Sequence, residues 1–147
     1  MSSQSNSVGT IQNIWRYAVK SMGGEELNEA LVIDGGLLGD RGYAVIDQAS
    51  GKVGSAKMPK KWSSLLTLNS AYSAPPRAGA PLPPVQINWP GGDSVISDTG
   101  DTDARLSETV GRPVTLTTVR PETVSLERVD PLVAEETILD IGEIMME

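Results

Sequence analysis

The sequence contains no cysteine, no histidine and no phenylalanine among its 147 residues. Without cysteine it has no disulfide, no thiolate metal ligand and no thiol nucleophile. Without histidine it lacks the Ser-His dyad and the usual zinc and non-haem iron ligands. Chemistry by this chain alone would rest on carboxylates, Lys, Tyr or Ser. The aromatic residues are Trp15, Trp62, Trp89, Tyr17, Tyr43 and Tyr72, and core filling with a hydrogen-bonded polar edge is their expected role. No apolar run approaches the roughly twenty residues of a membrane span. The polar start Met1–Ser7 lacks the basic-then-apolar order of a signal peptide. The expectation is a cytoplasmic protein with no membrane partner, long enough to bury a core.

The formal net charge of −7 is unevenly placed. Residues 14–61 hold seven bases against six acids, whereas residues 121–147 hold eight acids and only Arg128. No extended basic face exists to release counterions, so nucleic acid is not an expected partner. Small cation clusters in the front half still suit a discrete anion.

Short β-type segments dominate, and the expected class is mainly β, a small β-barrel with one or two short helices. Strands are expected over 8–19, 29–34, 42–48, 52–56, 65–72, 85–89, 94–97 and 113–119. Gln48-Ala49-Ser50-Gly51 and Pro90-Gly91-Gly92-Asp93 read as hairpin turns. Pro59 opens a helix through Leu65. A second helix is expected over Asp103–Val110, capped by Asp101 or Thr102, with Leu106 and Val110 on one face and Gly111 as the stop. The segment from Ala74 to Pro84 carries five prolines, so it reads as an exposed connection between strands. Residues 129–147 end on apolar residues with no clear stop: either they close the barrel as a last strand or the chain is the front part of something longer, and they are expected to be the least secure part of the fold.

Three places carry possible binding chemistry. Lys20 and Ser21 end the first strand-like run, and Arg41 lies in the glycine-rich turn Gly35–Arg41. Together they offer a point charge, a hydroxyl and a flat two-pronged donor to one anion, a phosphate-bearing ligand above all. The plain alternative is a rim Lys and an Arg paired with Asp40 or Asp34. Ser55 and Lys57 stand just before the Pro59 turn and are further pocket candidates, while Lys60 and Lys61 read as a solvated helix face. The neighbours Glu25-Glu26 and Glu135-Glu136 face opposite sides in a strand, cannot act as an acid–base couple, and read as solubility. Nothing matches a phosphate-loop or dinucleotide fingerprint.

Three stretches, Ile14–Glu25 around Val19-Lys20-Ser21, Gly36–Val45 around Gly39-Asp40-Arg41, and Gly51–Lys57, taken in this order, resemble the N-terminal β-barrel domain of MOSC proteins. That family is named for the C-terminal domain of molybdenum cofactor sulfurase and includes the mitochondrial amidoxime-reducing component. Asp103–Leu106 and Gly111–Val114 look like its continuation. The resemblance implies a barrel domain over 1–125 and an acidic extension over 126–147, read as the start of a truncated MOSC domain. Ala18 departs from the family pattern, which usually has Pro before Val-Lys-Ser; the change is expected to loosen the strand end.

In that family the Lys-Ser of the first motif and the Arg of the second are implicated in holding the phosphate and pterin of the molybdenum cofactor (molybdopterin). Carried over, this points to Lys20, Ser21 and Arg41. The family's molybdenum-ligating cysteine lies in the downstream MOSC domain, and this chain has none. The resemblance is to oxidoreductases and sulfurases, yet no catalytic residue and no metal ligand is assigned here. The expected partners are a small-molecule or cofactor ligand and a downstream MOSC domain. Two other readings stand beside this one: a free-standing barrel for another anionic small molecule, and an interaction module without a catalytic role.

Overall fold

The computed structural model describes residues 7–118. The acidic extension 126–147, the pair Glu135-Glu136 and the apolar end of the chain lie outside the described residues. Within them the chain is mainly β, with two short α-helices. No helix among these residues is long and apolar enough to cross a membrane.

The strands are short because turn residues interrupt them every few positions. β1 (Ile14–Arg16) pairs antiparallel with β2 (Glu25–Leu27), and β3 (Val32–Ile33) with β4 (Gly36–Leu37). β5 (Tyr43–Asp47) is reached next, followed by α1 (Pro59–Trp62) and a 3-10 turn over Ser63–Thr67. Then come β6 (Asn69–Tyr72), β7 (Val85–Asn88), β8 (Ser94–Ile96), α2 (Thr102–Val110) and β9 (Val114–Thr118). β6, β7 and β8 form an antiparallel meander, and β9 returns to pair with β5 in a register that sets Tyr43 opposite Thr118 and Asp47 opposite Val114. Among the described residues the ladders fall into four small sheets rather than one closed ring.

Isolated bridges stitch those sheets together. Val19 pairs parallel with Tyr43, Gly23 parallel with Asn69, and Val53 antiparallel with Ile46. The fully buried Ser70 closes one seam: its hydroxyl accepts from the Val19 amide at 3.3 Å and donates to the Gly23 carbonyl at 3.2 Å. A buried hydroxyl satisfied on both sides ties β6 to the first motif without an orphaned polar group. Trp62, Leu65 and Leu68 meet Val19, Val45, Val85, Ile87, Leu106 and Val114 in a single buried cluster. α2 ends as its sequence dictates: Gly111 takes φ +82° and its amide bonds back to the Ser107 carbonyl.

Several expected elements differ. The long strand over 8–19 is confined to Ile14–Arg16, with Val19 rejoining as a bridge, because Tyr17–Lys20 turn away to pair with the 41–43 segment. The stretch 65–72 divides into the 3-10 turn and β6, since Leu65 and Leu68 both pack inward, a spacing of three that a strand cannot supply. The stretch 52–56 contributes only the Val53 bridge, and 29–34 only β3. β2 had no counterpart in the pattern. Trp15 is 47% exposed and so is not core.

One buried ion cluster fastens β5 to the rest. The Asp47 carboxylate meets Lys61 Nζ at 2.9 Å and Arg112 Nη1 at 3.7 Å, and it accepts from the Ala49 amide at 3.0 Å. Both cations also lie over the Trp62 ring, at 5.4 and 5.7 Å. Lys61 is therefore a structural partner, not part of a solvated helix face; its ammonium lies against Trp62 and reaches a carboxylate on β5. The Lys61 ammonium bonded to Asp47 holds its carboxyl below the ordinary carboxylate range, against the opposing effect of burial. A lowered carboxyl contributes stability that is complete above the unfolded value, about 4, and is lost as pH falls through the folded value. Asp47→Asn is expected to cost about 2–3 kcal/mol at pH 7, with the gap to the parent narrowing below pH 4. Urea denaturation of both proteins at pH 7 and pH 3 checks this; an equal gap at the two pH values would contradict it.

Candidate functional site

The three candidate segments are held side by side by main-chain hydrogen bonds. The Arg41 amide donates to the Tyr17 carbonyl at 2.6 Å, the Tyr43 amide to Ala18 at 3.0 Å, and the Lys20 amide to Tyr43 at 3.0 Å. The strand end that carries Lys20 thus runs along the turn that carries Arg41. The third segment joins through Ser21, whose hydroxyl accepts from the Ala56 amide at 2.9 Å. Ala18 is fully buried, so the site where a Pro was expected is filled by a packed residue whose carbonyl is bonded.

Backbone strain falls on two of these residues. Among the described residues, the non-glycine positions with positive φ are Ser21 at +69° and Arg41 at +50°. An L side chain in that region costs roughly 1–2 kcal/mol per residue. Each is held there by its neighbours: Ser21 by the Ala56 amide, Arg41 by the Tyr17 carbonyl and by Asp40. Strain retained where hydrogen bonds over-determine the chain is a mark of binding sites.

The side chains have distinct roles. The Arg41 guanidinium contacts the Asp40 carboxylate and lies over the Tyr17 ring at 4.8 Å, with its side chain 55% exposed. The plain alternative, an Arg paired with Asp40, is therefore present. Asp40 is itself engaged, its other oxygen accepting from the Tyr17 amide at 2.9 Å. Nη1 alone of the Arg41 fork is used by Asp40, which leaves further donors on the same plane. Lys20 is partly buried and has an interaction of its own. Ser55 is buried, and its hydroxyl accepts from the Lys57 amide at 3.3 Å while its carbonyl accepts from Met58. It shapes the turn that presents the exposed Lys57.

Sequence reasoning passed over the residues beneath the Arg41 turn. Arg16 is buried, its Nη2 lies 3.4 Å from Glu25, and its guanidinium stacks on Tyr72 at 5.0 Å. Glu25 also accepts from the Tyr72 amide at 3.1 Å, so it is a structural ligand of two groups rather than a solubilising charge. Burial pushes the Tyr72 hydroxyl well above the ordinary phenol range, with nearby Tyr43 adding to the effect. Burial likewise raises Tyr43. Both therefore remain protonated donors: Tyr72 to the Gly39 carbonyl at 2.6 Å, Tyr43 to the Pro83 carbonyl at 3.0 Å. Glu25 is the residue opposite Arg16 in the β1–β2 ladder; in the sequence it showed only as one of two adjacent acids, and its adjacency to Glu26 hid it.

Ser21 offers a clean check on the strained turn. Ser21→Ala keeps the positive φ and strands the Ala56 amide, whereas Ser21→Gly strands the same amide but relieves the backbone. Ser21→Ala is expected to destabilise by about 1–2 kcal/mol, and by more than Ser21→Gly, in thermal or urea unfolding. The opposite order would show that the turn is not strained.

No curated protein and no solved structure matches the chain. A family model does match: the MOSC N-terminal beta barrel domain, over residues 8–70. The matched stretch contains Lys20, Ser21, Arg41, Ser55 and Lys57, together with the bonds that align them, and it ends within β6; residues 71–125 lie beyond it. Residues 8–70, less than half of the chain, are thus similar to the MOSC N-terminal beta barrel domain.

Proposed function

We propose that this chain contributes the anion-binding part of a molybdenum cofactor site, taking the phosphate of the pterin on Lys20, Ser21, Arg41 and Lys57, with Ser55 shaping the loop. The observation that carries this reading is the coincidence of the two strained non-glycine residues, Ser21 and Arg41, with two adjoining, mutually bonded segments. The donor set suits the group. Arg41 brings a planar fork with donors beyond the one that Asp40 takes. Ser21 accepts from Ala56, which leaves its hydroxyl proton to point outward as a donor. Lys20 and Lys57, on the segments joined to the Arg41 turn, add positive charge, which favours a dianion over a neutral ligand.

When held by its metal ligands, the cofactor supplies electron and oxygen-atom transfer. This chain has no cysteine, and molybdenum prefers a soft thiolate. The role of its own residues is therefore to bind and orient the phosphate end, and a downstream MOSC domain is the partner that would complete the centre. A purified chain is expected to bind without turning over N-oxide or amidoxime substrates.

Calorimetric titration with molybdopterin and with inorganic pyrophosphate tests the reading. Arg41→Lys is expected to weaken pyrophosphate binding about tenfold, because the charge stays and the fork is lost. Lys60→Ala, at an exposed position outside the aligned segments, is expected to leave the affinity unchanged. Equal losses in both variants, or no saturable binding by the parent protein, would overturn the assignment.

A further inference from the structure

The turn that carries Arg41 is gripped from below. The Tyr72 hydroxyl donates to the Gly39 carbonyl at 2.6 Å, and the Gly42 amide donates to the same carbonyl at 3.3 Å. One acceptor thus fixes both ends of the four-residue turn Gly39–Gly42. The packing is equally close. A methyl group on Gly42 would stand 2.5 Å from the Tyr72 hydroxyl and 2.5 Å from Leu82 Cδ1. One on Gly39 would stand 2.9 Å from Pro76 Cγ and 2.9 Å from the Tyr72 ring. Pro76 and Leu82 both belong to the proline-rich connection between β6 and β7. That connection is tied down at its far end by Tyr43, which donates to Pro83, and by Ser73, whose amide and hydroxyl both donate to Pro84.

Tyr72 is itself immobilised. Its ring is covered by the Arg16 guanidinium at 5.0 Å and its amide is bonded to Glu25. A tyrosine held at its ring face and at its own backbone amide can fix the height and tilt of a turn to which it donates. The proline-rich loop, restricted in φ at five positions between Ala74 and Pro84, is stiff enough to act as the other jaw.

We propose that Tyr72, together with Pro76 and Leu82 of the proline-rich loop, is the positioning device of the anion site, clamping the Gly39–Gly42 turn so that Arg41 keeps its left-handed conformation and its guanidinium its aim. The Ala74–Pro84 connection is then part of the binding apparatus, acting through the turn without touching the anion. This rests on the anion-site reading for its purpose, but the clamp itself has a readout of its own.

The test uses Tyr72→Phe, which keeps the ring and removes the hydroxyl, and Leu82→Ala, which thins the other jaw. Limited trypsin digestion reports on the turn through the Arg41–Gly42 bond, with the bond after the exposed Lys52 in the far hairpin, bonded there through the Lys52 carbonyl and the Val53 bridge, as the internal reference. Cleavage at Arg41 is expected to accelerate about fivefold in Tyr72→Phe, the size of one neutral buried hydrogen bond, with cleavage at Lys52 unchanged. In parallel, Tyr72→Phe is expected to weaken pyrophosphate binding several-fold in the parent and to have no further effect in an Arg41→Lys background, a non-additivity that general destabilisation would not give. Leu82→Ala is expected to follow Tyr72→Phe in both measurements. Unchanged cleavage at Arg41, or equal acceleration at Arg41 and Lys52, overturns the clamp. Full additivity with Arg41→Lys overturns its positioning role. Should the parent bind no pyrophosphate, the anion-site reading falls, while the trypsin comparison still decides whether the clamp exists.

Discussion

The parallel alignment of Tyr17–Lys20 with Arg41–Tyr43 is the constraint on which the rest of this structure depends. Three main-chain hydrogen bonds make it, from Arg41 to Tyr17, Tyr43 to Ala18 and Lys20 to Tyr43. It ends β1 early, because the chain must leave its antiparallel partner to reach the new one. It buries Ala18 and Val19 completely, which places Val19 where Ser70 can take its amide. It also forces Ser21 and Arg41 into left-handed geometry at the two ends of the aligned segment. In a sheet of ordinary strands such a register would be held by many ladder bonds. Here three suffice because buried side chains brace them from both sides.

Two polar clusters provide that bracing, and they differ in kind. Asp47 is a charged hub: two cations, themselves over the Trp62 ring, and one amide converge on it, so β5, α1 and the turn before β9 are joined by electrostatics in a partly dry setting. Arg16, Glu25 and Tyr72 join β1, β2 and β6 with one ion pair, one stacked ring and one amide bond. Neither cluster resembles a catalytic pair, since each carboxylate is matched by a cation rather than by a second acid. They act instead as rivets between small sheets that could not stand alone.

Much of this was legible from residues, and the remainder was hidden for physical reasons. The β6–β7–β8 meander, the turns at 48–51 and 90–93 and α2 with its Gly111 stop follow local rules of glycine, proline and alternation. The proline-rich connection was expected to be exposed, but Pro76 is buried and Leu82–Pro84 are half-buried, because Pro76 and Leu82 pack on the turn that carries Arg41. The expected strand over 8–19 exceeds β1 because alternation persists through Tyr17 and Val19 even after the pairing partner changes; no local signal marks that exchange. Lys61 looked solvated because the two groups that meet its ammonium, the Asp47 carboxylate and the Trp62 ring, are brought together only by the fold. Glu25 looked like surface charge for the same reason. Lys20, Ser21, Arg41, Ser55 and Lys57 could be picked out by residue type and resemblance, but the bonds that set their segments side by side, and the tyrosine beneath the turn, belong to tertiary structure alone.

The register of β5 with β9 sets position 43 against position 118, and this has a consequence for how the molecule comes into being. A long closed loop is entropically slow to form, and topologies dominated by distant pairings fold more slowly than those built from neighbours. The meander and α2 can assemble from nearby residues as they emerge. The strand that bears Tyr43, and with it the partner of Ala18 and Lys20, lacks its second neighbour until Thr118 has left the ribosome. The first motif therefore depends, through Tyr43, on a strand from the far end of the described residues.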